Sequence, residues 1–134
     1  MKDAALHIEN YLPAAGATAY LGVLDLGVDV AGFSDNWRNG RLRVTVPALP
    51  NNTDNTKTTT LTIQDSADGG VTFTETVPTI QVKIAGVAAT GSVATVVDCP
   101  LPPGLRGPVR IAAVVPAGAG DNTAALATAD WVNE

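Results

Sequence analysis

Cysteine and histidine each occur once in this 134-residue chain, as Cys99 and His7. A lone thiol closes no internal disulfide, so the sequence points to synthesis in a reducing compartment and away from a disulfide-stapled secreted domain. One Cys and one His cannot complete a zinc site, and their wide separation in the chain gives no Cys–His catalytic couple. Aromatic residues are scarce, with two each of Phe, Trp and Tyr. The core must be filled by Val, Ile, Leu and Ala, whose individual contributions are modest, and stability is expected to lean on contacts between subunits. Basic residues are outnumbered, 8 against 13 acidic, for a net charge of −5. That balance repels phosphate backbones, so nucleic acid is not the expected partner. No apolar run reaches the roughly 18 residues of a spanning helix. Asp3 and Glu9 also break the amino-terminal apolar residues that a secretion signal would keep intact. The expectation is a soluble protein with no membrane partner.

What the chain has in abundance is strand and turn chemistry. Leu42, Val44 and Val46 alternate with Arg41, Arg43 and Thr45, as a half-buried strand requires. Thr58, Thr60 and Thr62 share one face of a threonine-rich strand at 57–65. Further strands are expected at 21–26, 71–77, 80–84, 92–98, 109–115 and 125–132, each bounded by Gly, Pro, Asn or Asp. About eight short strands with no reliable helix between them predict an all-β fold, a jelly-roll-like antiparallel β-sandwich over residues 21–134. Residues 1–20 lack sustained helical periodicity and are expected to form an extended N-terminal arm. Two readings of the arm stand: it adds to another chain's sheet edge, or it folds back to cover an edge of its own sandwich.

Candidate chemistry dissolves on inspection. Gly32-Phe33-Ser34-Asp35-Asn36 starts like a nucleophile elbow but lacks the second glycine. Asp65 and Asp68 are hard oxygen donors without the alternating order of a calcium-binding loop, so no metal is assigned and calcium near them stays open. Ser66-Ala67-Asp68-Gly69-Gly70-Val71-Thr72-Phe73 matches the Asp-box pattern of sialidase-like propellers, but a single copy in so short a chain makes no propeller. Its content is a turn: Asp68 accepts backbone N–H groups, Gly69 or Gly70 takes positive φ, and Phe73 packs beneath. No catalytic or cofactor-binding residue is assigned, no small-molecule substrate is expected, and the chain is read as a non-enzyme.

Trp37, Arg38, Arg41 and Arg43 gather three of the eight basic residues beside one of two tryptophans. This is either a solvated strand face or a contact for an acidic protein surface, since Trp and Arg are enriched at binding hot spots. Trp131, in register with Ala127 and Ala129, is expected in the core.

The arm, Val23-Leu24-Asp25-Leu26-Gly27, the strand and turn from Leu61 to Gly70, and Leu101-Pro102-Pro103-Gly104-Leu105-Arg106 together resemble the small cement proteins of tailed bacteriophages, of the Bbp16-like type. That resemblance implies a jelly-roll-like capsid decoration protein, often a homotrimer. It would be made in the host bacterial cytoplasm and sit on the virion exterior, clamping neighbouring major capsid proteins. Leu6, Ile8, Tyr11, Leu12 and Tyr20 are then the arm's contact candidates. A phage tail or head-completion component is the nearest alternative, followed by a carbohydrate-binding module with exposed aromatic rings on one face.

Overall fold

Alternation sets the strands. In β3 (Gly40–Val46), Leu42, Val44 and Val46 are buried while Arg41, Arg43 and Thr45 face outward, giving a pleated strand one dry and one wet face. The computed structural model describes residues 2–24, 40–66, 68, 70–76, 79–100 and 108–133. The other strands in them are β1 (Lys2–Tyr11), β2 (Thr18–Leu24), β4 (Thr58–Asp65), β5 (Thr74–Glu75), β6 (Gln81–Ala85), β7 (Thr95–Pro100), β8 (Val109–Val114) and β9 (Leu126–Asn133). No helix occurs among the described residues.

The pairing is nested from the outer strands inward. β1 pairs with β9, β2 with β8, β3 with β7 and β4 with β6, every pair antiparallel. Folding that long hairpin across itself brings β3 beside β9 and β8 beside β4. Two sheets result: β1-β9-β3-β7, and β2-β8-β4 with both β5 and β6 on the far side of β4. This is a jelly roll, an antiparallel β-sandwich whose crossings leave few exposed edges. Between the sheets lie Leu42, Val44, Val46, Leu61, Ile63, Val109, Ile111 and Trp131, all buried. Each Val, Leu or Ile so placed contributes about 1.5–3 kcal/mol by leaving water.

The expected arm is β1 together with the start of β2, and no boundary falls at residue 20. Pairing with β9 satisfies the N–H and C=O groups along one side of the strand, which an unpaired arm would leave to water. It also buries Ile8 at 7% and Leu12 at 2% exposure, so these two contact candidates belong to the chain's own core. The strand expected at 71–77 shrinks to Thr74–Glu75, because the Thr72 N–H is taken by the Asp68 carboxylate and cannot join a ladder. The strand expected from Ser92 begins at Thr95, since Ser92 makes only an isolated bridge to Leu49.

One end of the sandwich is tied by its loops. Gly16 N–H donates to Val115 O at 2.7 Å, Leu49 N–H to Ser92 O at 2.9 Å and Val87 N–H to Asn52 O at 3.1 Å. Asn51 Nδ2 donates to Asp121 O at 2.6 Å. The opposite end carries the 66–73 turn.

Candidate protein-contact faces

The outward face of the second sheet begins with a break in alternation. The register of β2 slips between Tyr20↔Ala112 and Val23↔Arg110, a bulge that sets two residues of β2 against one of β8. Gly22 lies inside it at φ +132°, and a side chain there would start 3.0 Å from Ile8 Cγ2. Across the bulge, residues three apart share a face. Leu21 and Leu24 are both buried, while Tyr20 and Val23 are both exposed, at 46% and 51%.

Between Tyr20 and the neighbouring strand stands Arg110, flanked along β8 by the buried Val109 and Ile111. Its Nε donates to Gln64 Oε1 at 2.7 Å, directly across the β4–β8 pair. Its guanidinium carbon sits 4.0 Å from the centre of the Tyr20 ring and 4.4 Å from that of Phe73. Each cation–π contact at such a site is worth about 0.5–1 kcal/mol, so Arg110 is gripped from three sides.

Phe73 is delivered by the 66–73 turn. The Ser66 hydroxyl donates to Asp68 Oδ1 at 2.7 Å and accepts the Gly70 N–H at 2.9 Å, and Asp68 Oδ1 accepts the Thr72 N–H at 2.8 Å. Gly70 takes φ +99°. The bond from the Thr72 N–H, followed by that from the Ser66 hydroxyl, pulls the Asp68 carboxyl down to about 2. Ser66 N–H donates to Pro108 O at 3.0 Å, tying the turn to the start of β8. Gly69 lies outside the described residues. Asp65 is buried and Asp68 exposed. Among the described residues no three His, Cys, Asp or Glu groups converge as metal ligands.

The first sheet presents a different face. One cross-strand row runs His7, Asp130, Arg43, Asp98 over β1, β9, β3 and β7, alternating in sign when His7 is protonated. His7 Nδ1 lies 2.5 Å from Asp130 Oδ1, and its Nε2 lies 2.7 Å from Glu9 Oε1. The Glu9 bond foremost, and then the Asp130 bond, raises the His7 pKa above its ordinary value. Arg43 closes on Asp98 with two bonds, Nε to Oδ1 at 2.7 Å and Nη2 to Oδ2 at 3.1 Å, and holds that carboxyl below its usual range. Cys99 is buried, which pushes its thiol upward. This face neutralises its own charge.

The sequence candidates therefore scatter. Tyr20 belongs to the second sheet's face, Arg41 and Arg43 to the first sheet's, and Tyr11, 55% exposed, to the end of β1. Leu6 falls within β1, but its side chain, like Trp37 and Arg38 entirely, is outside the described residues. Arg110 was not among the candidates. Its signal is a single charged residue inside Val109-Arg110-Ile111-Ala112-Ala113-Val114, which reads from sequence alone as an ordinary outward strand position. A cleft of about 250 Å³ opens at the tied end, lined by Pro47, Leu49, Pro50, Asn51, Asp121 and Asn122 among others.

No protein-family model matches this chain, and no curated protein does. Among solved structures it is similar to one under the name Desmodium yellow mottle tymovirus, covering 93% of this chain and 82% of that one with a TM-score of 0.41 and 11% identity. A likeness at that level supports no statement about function.

Proposed function

We propose that this chain is a non-enzymatic structural virion protein: a capsid cement protein that attaches as a homotrimer to the outside of a tailed-phage head and clamps neighbouring major capsid proteins. The observation that carries the reading is the outward face of the second sheet. There Tyr20 and Val23, each more than 40% exposed, lie beside Arg110 across the β2–β8 pair, and Val114, 41% exposed, continues the same face further along β8. Single exposed apolar residues are ordinary, whereas a cluster on one flat face marks a surface that another protein covers. The resemblance of the strand and turn sequences to phage cement proteins supplies the capsid as the partner. Threefold presentation would let three modest faces bind with high avidity. The two reactive residue types are engaged elsewhere: His7 is bonded to carboxylates at both ring nitrogens, and Cys99 is buried.

The test is co-sedimentation with capsids assembled from the major capsid protein that this reading expects to be encoded beside this gene, together with light scattering of the free protein. Attachment and a trimer mass are expected. Val23→Asp, which places a charge on the apolar face, should weaken attachment by about two orders of magnitude, as for a central interface residue. A strict monomer that ignores those capsids would overturn the reading.

A further inference from the structure

Arg110 differs from the other arginine whose partners are described. Arg43 faces a carboxylate directly across its strand pair and spends the Nε–Nη2 edge of its guanidinium on Asp98. Arg110 faces an amide in the equivalent cross-strand place. Gln64 takes only Nε, leaves the positive charge standing, and fixes the direction of the guanidinium. Tyr20 and Phe73 clamp the group from either side. Among the described residues no acceptor bonds to its two Nη nitrogens, which carry four of an arginine's five N–H donors. Glu75, beyond Gln64 in the same row, makes no ion pair with it.

We propose that the Nη edge of Arg110 is a receptor for one carboxylate, an Asp or Glu of the partner protein carried between apolar side chains that settle on Tyr20, Val23 and Val114. This rests on the attachment reading and names the partner's chemistry. A guanidinium fork matches a carboxylate with two parallel charge-assisted bonds. A fork already immobilised by an amide and two rings loses little freedom in forming them. Phosphate shares the fork geometry, but the apolar rim favours a single carboxylate set among apolar side chains over the densely charged backbone of a nucleic acid. Gln64 is a positioning residue here, and the 66–73 turn serves the site by placing Phe73.

The experiment is an NMR titration of the isotope-labelled protein, following the Arg110 Nε–H and the Tyr20 ring. The ligands are acetyl-Leu-Glu-Leu-amide, acetyl-Leu-Gln-Leu-amide and inorganic phosphate. The Glu peptide should give saturable shifts in the millimolar range, about tenfold tighter than the Gln peptide or phosphate. Arg110→Gln should abolish the shifts while the amide spectrum stays dispersed. Arg110→Lys, which keeps the charge and loses the fork, should weaken them. Equal binding of the two peptides, phosphate binding as tight as the Glu peptide, or no saturable shift would overturn the inference. Capsid attachment separates the two readings: loss in Val23→Asp with full retention in Arg110→Gln keeps the attachment reading and overturns the carboxylate receptor.

Discussion

A histidine bonded to carboxylates at both ring nitrogens is satisfied only as imidazolium, because the neutral ring has a single N–H to give. The folded-state pKa of His7 is raised, so its stabilisation is complete below the unfolded-state value and is lost as pH rises through the folded one. The wild-type protein should therefore lose up to about 1 kcal/mol between mildly acidic and mildly alkaline pH relative to His7→Gln. Urea midpoints at the two pH values measure it, and parallel behaviour of the two proteins would refute the clamp. None of this was legible in the sequence. Glu9 is two residues away, but Asp130 meets His7 only through the β1–β9 register, 123 positions apart. By contrast, the bonds among Ser66, Asp68, Gly70 and Thr72 within the turn join residues at most four apart, so their chemistry can be read locally. The stacking of Phe73 on Arg110 cannot, because it depends on a strand far along the chain.

At the scale of the element, β2 shows how one glycine decides which side chains share a face. Gly22→Ala meets both an unfavourable φ and the Ile8 side chain, and should cost about 1–3 kcal/mol. It should also separate Tyr20 from Arg110. Chemical denaturation together with the chemical shift of the Arg110 Nε–H, which the Tyr20 ring current perturbs, reads both effects. An unshifted resonance would mean that the bulge survives without its glycine. Strands such as β3, with strict alternation of Leu42, Val44 and Val46 against polar neighbours, were plain in the sequence. The bulge in β2 was not: Leu21 to Leu26 reads as one apolar run, and no rule of alternation says where a residue is skipped. In sequence β1 reads as an arm because it lacks helical periodicity, and the strand that claims it, β9, lies more than a hundred residues further along the chain.

For the molecule as a whole, the tied end rests on close backbone approaches. A side chain at Gly91, which has φ +74°, would begin 2.2 Å from the Leu49 carbonyl, too near for any side-chain motion to relieve. Gly91→Ala should destabilise the protein by at least about 3 kcal/mol through strain and displacement of the 47–57 loop. Thermal unfolding measures this; an unchanged midpoint would show that the loops are not stapled as described. The nested order of pairing has a further consequence for how the molecule comes into being. β1 leaves the ribosome ahead of the other described strands, yet its ladder partner β9 follows all of them. Until then Ile8 and Leu12 have no sheet to cover them, and the long loop closures of such a topology are slow. The interval between translation of β1 and arrival of β9 is thus when one nascent chain can lend its β1 to another.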